Sequence, residues 1–396
     1  GGGRGAPRQA APPGHGPGDV SLRHPAAWLV ALLVATIVVL SVTYVRYDPD
    51  MWHHLAVGRF MWEQQRFSTV QLWTWPTYGA PDVNYAWGFE LLLWPFWKLG
   101  GITGMYAWRW LTTMAAFALA WTAARRMGAR GFVPFVVIAL AAIAYRERTQ
   151  VRPEGVAAIL LAAEIALLEA RRHGARVHAG WLVPIAWAWA NTHITYYLFF
   201  VVLGIHTLAA HLPPRRAGAP PARHLWIAGL VSAPAMLVNP SGWVTLWQPF
   251  EYWLVWRHEP MFETVGELAP LVWSQHVWDG VLLLAVLWPL LVLARIRRAG
   301  LDPVEAATCA LLTALIFAGQ RFAAIHALAA SAYAARDLTE WGRDLRWDLR
   351  APRRLLPLAG VWPRAGLAAA ACVLVALPGL LDRGFPIRMG VATAWT

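Results

Sequence analysis

The segment Asp48-Pro49-Asp50-Met51-Trp52-His53-His54 follows directly on the first long apolar run and puts two carboxylates and two imidazoles where that run ends. Carboxylates can take a proton from a hydroxyl or share a divalent cation, and imidazoles can serve either chemistry. A lone Asp in this place would be read as a helix N-cap at Asp50. Two Asp, two His and a cluster of Trp together read as a site, since ionisable groups with shifted properties gather at sites.

Elements that could position these residues follow from composition. The chain has 396 residues, 58% hydrophobic and 14% charged. A soluble domain is about half apolar and about a quarter charged, so both departures point to a polytopic membrane protein. The 26 Trp fit interfacial belts. A net charge of +12 raises nucleic acid as a partner, but most Arg lie in short clusters between apolar runs, which the positive-inside rule explains, so no nucleic acid is expected. Cys309 and Cys372 fall inside apolar runs and imply neither a disulfide nor a metal site. Residues 1–25 read as a disordered cytoplasmic tail.

Apolar runs fall near 26–45, 104–123, 131–145, 154–170, 178–190, 193–211, 225–239, 278–295, 303–319, 321–335 and 364–381. The expected fold is all-α, a polytopic transmembrane bundle of about eleven spans over 26–381, with an outer first loop at 46–86 carrying juxtamembrane helices. The piece 87–98 is short and holds Pro95, so it reads as an interfacial or re-entrant helix. With the N-terminus cytoplasmic and 87–98 not crossing, every dense Arg cluster falls on one side: Arg125, Arg126 and Arg130; Arg171, Arg172 and Arg176; Arg215, Arg216 and Arg223; Arg295, Arg297 and Arg298; and the block from Arg336 to Arg364. The polar and aromatic motifs then collect on the other side: 48–87, 146–154, Asn191-Thr192-His193, Asn239-Pro240-Ser241-Gly242-Trp243, 256–276 and Gln320-Arg321-Phe322. Residues 382–396 also fall outside. Within the first loop, Leu55, Val57, Phe60 and Met61 share one face of a helix starting near Asp50. Trp73, Trp75, Pro76, Tyr78, Gly79 and Pro81 make an ordered aromatic loop, either a headgroup anchor or a surface for a sugar ring or an isoprenoid chain.

These residues resemble a family. A cytoplasmic N-terminus, an Asp-bearing first outer loop with juxtamembrane helices and many further spans look like the GT-C glycosyltransferases. Asp50-x-Trp52-x-His54-Leu55-x-x-Gly58-Arg59 is similar to the start of a group of bacterial GT-C-like membrane proteins. That group continues with motifs resembling Asn-His-Glu-Trp, Arg-Pro, Trp-Ala-Asn-x-His, Asn-Pro-x-Gly and Arg-Phe. This chain has Asn84-Tyr85-Ala86-Trp87, Arg152-Pro153, Trp189-Ala190-Asn191-Thr192-His193, Asn239-Pro240-Ser241-Gly242 and Arg321-Phe322, over about 46–335. One departure matters: Tyr85-Ala86 replaces His-Glu, so an acid working there has been lost or moved, with Glu90 one turn beyond Trp87 as the substitute.

The resemblance implies transfer of a sugar from a polyprenyl-phosphate donor to a lipid, glycan or protein acceptor, on the extracytoplasmic face of the bacterial inner membrane. Asp50 is the expected general base and Asp48 the second choice. Asp48, Asp50 and His54 are alternatively ligands for Mg²⁺ or Mn²⁺. Arg148, Arg152 and Arg321 are the donor-phosphate candidates, because a guanidinium forks onto phosphate oxygens and stays charged. Trp52, His53, His54, Trp87, Glu90, Asn191 and His193 are the expected lining. Arg146 is expected to snorkel to the headgroups, and Glu164, inside a run, to be a buried hydrogen-bonding acid. Two other readings stand beside the transferase: a transporter or flippase, and an inactive scaffold with the same fold.

Overall fold

The computed structural model describes residues 20–45, 48–212, 220–263, 265–344, 360–381 and 388–389. Most of the tail 1–25, Arg215, Arg216, most of 336–364 beyond residue 344, and nearly all of 382–396 lie outside the described residues. The fold is all-helical. In chain order the helices are α1 (Pro25–Ser41), α2 (Pro49–Gln64), α3 (Trp87–Met127), α4 (Val133–Tyr145), α5 (Glu154–Arg172), α6 (Leu182–Ala190), α7 (Tyr197–Ala209), α8 (Arg223–Ala235), α9 (Trp243–Leu254), α10 (Pro260–Glu263), α11 (Val281–Ala299), α12 (Pro303–Ala318), α13 (Ala323–Asp344) and α14 (Val361–Leu381). A two-stranded antiparallel pair joins β1 (Tyr44–Val45) to β2 (Arg388–Met389), with Tyr44 opposite Met389.

Every apolar run of the sequence carries a helix. Only α14 among the described helices is long and apolar enough to cross a membrane by itself; Pro25–Ser41, Val133–Tyr145, Ala179–Ala190, Ile194–Ala209 and Pro303–Ala318 are apolar but shorter. Helix α4 is the hub, with Ala139, Ala141, Ala142 and Ile143 fully buried, and its small residues let α1, α13 and α14 approach closely. A second core joins α5, α6, α7, α11, α12 and α13 around Trp189, Trp288 and Tyr333.

Helix α3 is two helices in one. Gly101 adopts φ 52, ψ −132, a conformation that favours glycine, and the chain reverses there. Phe89 and Phe96 then meet Trp108 edge to face, at 5.6 and 5.2 Å between ring centroids. The segment 87–98 is thus a separate helical arm folded back on the rest of α3, and α2 lies against it.

At the far end of α5 is a buried charge network. Arg172 donates to both oxygens of Asp302 (2.6 and 2.9 Å) and to Glu169 (2.9 Å). Arg336 donates to Asp302 (3.0 Å), Asp337 (2.8 Å) and Glu305, while Arg295 bonds Glu340 and Tyr333 bonds Glu169 (2.9 Å). Arg172, Arg295 and Arg336 are therefore more than topological markers: they cross-link α5, α11, α12 and α13. Arg146 departs from expectation too. It is 1% exposed and donates to the carbonyl of Gly379 on α14 rather than snorkelling. A helix-end carbonyl within reach offers the guanidinium a buried partner.

Candidate functional site

At the other end of the bundle, five chain segments converge: the start of α2, the start of α3, the 3₁₀ turn Arg146–Arg148 with the start of α5, the turn before α7, and the turn Gln320–Phe322 before α13. Each is a helix terminus or a turn next to one. Polar side chains gather there because helix ends leave backbone groups that need partners.

Helix α2 begins at Pro49, so Asp48 holds the N-cap position, two residues before the Asp50 cap that the sequence suggests. Asp48 makes no capping bond, because its carboxylate is taken by Arg152. Arg152 donates to Asp48 through Nε (3.1 and 3.3 Å) and Nη2 (3.0 Å), and its Nη2 lies 2.8 Å from Asp50 Oδ2. Asp48 is buried; Asp50, in the first turn, is exposed. The Arg152 fork is thus filled by carboxylates.

One turn further along α2, His54 Nδ1 lies 2.9 Å from Glu90 Oε1. Asn84 donates to the other oxygen of Glu90 at 2.5 Å. Asp48, Asp50 and His54 therefore do not converge on one point. Among the described residues no three His, Cys, Asp or Glu side chains stand together as a metal site. Arg152 engages Asp48 and Asp50, and Glu90 takes His54 Nδ1, so these three side chains are not gathered as a cation site here.

His53 packs edge-on against His54 (5.8 Å) and Trp73 (6.0 Å). Burial holds its pKa below the ordinary value of 6.5, and His54 lowers it further. Nearby Asp82 is pushed above the usual carboxylate value by burial, with His53 pulling the other way. Trp73 belongs to a loop closed by the Val70–Pro81 bridge, whose tip leaves Trp75 89% exposed.

Two cavities meet at Arg321. The narrow one, about 30 Å³, is lined by Tyr145, Arg148, Glu154, His193 and Arg321 with small apolar residues. In it His193 Nε2 lies 3.9 Å from Glu154 Oε1, while His193 Nδ1 accepts the Thr195 N–H at 3.2 Å. The wide one, about 610 Å³, is walled by Tyr85, Tyr197, Tyr252, Trp253, Trp256 and Phe262, with Arg321 again on its wall. Among the described residues Arg321 has no ion-pair or hydrogen-bond partner for its side chain; its guanidinium carbon sits 5.8 Å from the Phe322 ring centre. Tyr85, between the wide cavity and Glu154, has its phenol pushed up to about 12 by burial, with the charge of Glu154 adding to the effect.

The sequence-chosen residues thus separate into groups. Arg148, His193 and Arg321 share one cavity. Arg152, Asp48 and Asp50 form a cluster of their own. His54 and Glu90 pair. Trp87 donates to Asn191 (2.7 Å), and Asn191 donates to the Trp187 carbonyl (2.7 Å), so these two brace α3 against α6 and line neither cavity. Trp52 packs edge-on against Trp97 in a small apolar cluster. Three participants had no role in the sequence reading: Glu154, Tyr85 and the aromatic strap of α9 and α10. Glu154 stood in a marked motif, and its place beside an Arg-Pro pair at a helix start was the available signal.

Neither protein-family models nor curated proteins give a match to this chain.

Proposed function

We propose that the chain is a polytopic membrane glycosyltransferase of the GT-C type, with about eleven spans and its working face extracytoplasmic, in the bacterial inner membrane. It takes a sugar from a polyprenyl-phosphate donor and passes it to a hydroxyl of a lipid, glycan or protein acceptor. The observation that carries the reading is Arg321: among the described residues, a guanidinium with no hydrogen-bond or ion-pair partner, between a small cavity it shares with Glu154 and a wide aromatic one. The charge of Glu154 acts on it across the narrow cavity, and a phosphate would supply the acceptors that its fork lacks. A phosphate on Arg321 and Arg148 leaves the aromatic cavity for the sugar or the first isoprene units, which stack on aromatic faces. Arg152, already bound by two carboxylates, has no part in donor binding here.

The acceptor hydroxyl loses its proton as its oxygen bonds the anomeric carbon, and the bond from that carbon to phosphate oxygen breaks with its electrons leaving on the phosphate. Asp50 takes the proton. Its exposed side chain can meet an incoming hydroxyl, while Arg152 Nη2 lies 2.8 Å from Oδ2. Arg321 and Arg148 balance the charge left on the phosphate.

The test is binding of a short-chain polyprenyl phosphate to the purified protein in lipid nanodiscs. Arg321→Ala is expected to weaken it at least about tenfold, a typical loss for one charge-assisted contact. Arg321→Lys keeps the charge but not the fork and falls between. Equal affinity in all three proteins defeats the assignment.

A further inference from the structure

Glu90 is a carboxylate at 2% exposure in the folded-back arm of α3, and everything around it fixes its orientation. Asn84 donates to Oε2 and cannot flip, because its own Oδ1 accepts the Ala86 N–H at 2.8 Å. Helix α2 comes close at Gly58, where an added Cβ would stand 2.4 Å from the Glu90 carbonyl oxygen. Trp62 Nε1 donates to the Leu91 carbonyl at 2.8 Å and ties the two helices a second time. Oε1 is left for His54 Nδ1 at 2.9 Å. A carboxylate only accepts hydrogen bonds, so Nδ1 carries the hydrogen, and in the neutral ring it is Nε2 that keeps the lone pair. The imidazole is further gripped edge-on by Phe89 at 5.1 Å. Among the described residues Nε2 has no partner. His54 stands four residues after Asp50 on α2, so the two share one face of the helix.

We propose that His54 Nε2 is the hydrogen-bond acceptor that orients the incoming sugar or lipid hydroxyl beside Asp50, and that Glu90 is the positioning residue that fixes the required tautomer. The proposal rests on the transferase reading and assigns that site's acceptor side.

The experiment uses the full chain in nanodiscs with labelled histidine, and octyl glucoside, below its micelle-forming concentration, as the hydroxyl probe. Nitrogen NMR is expected to show His54 protonated on Nδ1, with the Nε2 resonance moving as the probe is added. Probe affinity is expected to fall about tenfold in His54→Ala and Glu90→Leu. In the double variant Asn84→Asp/Glu90→Gln, whose amide oxygen accepts from Nδ1 while its NH₂ donates to the new carboxylate at position 84, it should stay within about threefold of wild type. Polyprenyl phosphate binding is expected to be unchanged in all of these variants. An Nε2-protonated ring, a probe that leaves Nε2 unmoved, or an Asn84→Asp/Glu90→Gln double variant as weak as Glu90→Leu overturns the inference and leaves only a tether between helices. If the wild type fails to bind polyprenyl phosphate, the transferase reading itself falls, a result distinct from each of these.

Discussion

Asp48 and Asp50 differ by two positions, yet Arg152 uses them differently. Asp48 is buried and receives two nitrogens; Asp50 is exposed and meets one, at 2.8 Å. Asp50→Asn is nearly isosteric but takes no proton, so transfer is expected to fall by about 10²–10⁴-fold with expression unchanged. Asp48→Asn leaves the half-buried Arg152 without its main countercharge, so it should act first on stability, lowering the melting temperature more than Asp50→Asn does. Equal activity losses with equal melting temperatures would erase that distinction. His53 gives a second test. Its pKa is held below 6.5, so the folded chain prefers the neutral ring. The stability of the first loop is then complete above about 6.5 and is lost as pH falls through the lower folded value. Nitrogen NMR should place the His53 midpoint below 6.5, and His53→Gln should flatten the acid-side loss of protection of residues 69–82 in hydrogen exchange. A midpoint at or above the ordinary value would contradict the burial argument.

Among the elements, the α2–α3 contact controls the site, and Gly58 is its hinge point. A methyl group there meets backbone rather than a flexible side chain, so α2 has to move away from Glu90. Gly58→Ala is therefore expected to stretch the His54–Glu90 bond and to weaken hydroxyl-probe binding at least about tenfold while helix content by circular dichroism stays put. An unchanged affinity would mean that the arm yields without disturbing His54. This contact also marks how far the sequence can be read. Apolar runs announce helices because burying them is a local property of composition, and all of them carry helices. Pro95 and the shortness of 87–98 set that piece apart, and Gly101 is where it folds back. Pairing is not local. Arg152 and Asp48 are 104 residues apart, and nothing in the spacing around either one distinguishes a phosphate ligand from a carboxylate partner. Trp87 and Asn191 looked like lining because each stands beside polar residues at a helix end; their bond to each other, across another 104 positions, uses up that polarity.

In the whole molecule the two ends of the bundle divide the work. One end gathers the polar groups of the site around two cavities; the other ties α5, α11, α12 and α13 with buried ion pairs. Arg336, 1% exposed, faces Asp302, Glu305 and Asp337 at once. Arg336→Met strands those acids and is expected to destabilise the fold by about 3–5 kcal/mol, the typical loss when one partner of a buried pair is removed. Polyprenyl phosphate affinity at the opposite end should be unchanged in the protein that remains folded; a parallel loss there would show the two ends to be coupled. The same division bears on the proposed orientation. Under the proposed topology, in which short Arg-rich connections mark the cytoplasmic side, the network end would face the cytoplasm and the Arg321 end outward. Thr77, at the exposed tip of the first loop, and Arg176, exposed after α5, then lie on opposite sides. Both native cysteines, Cys309 and Cys372, are buried, so the background for thiol labelling is low. Thr77→Cys should react with an impermeant maleimide in cells whose inner membrane is intact, and Arg176→Cys only once that membrane is opened. The reverse pattern would put the Arg321 cavities in the cytoplasm, where a nucleotide-linked donor would be the ready source of sugar phosphate, and would end the case for an outward-facing lipid-linked one.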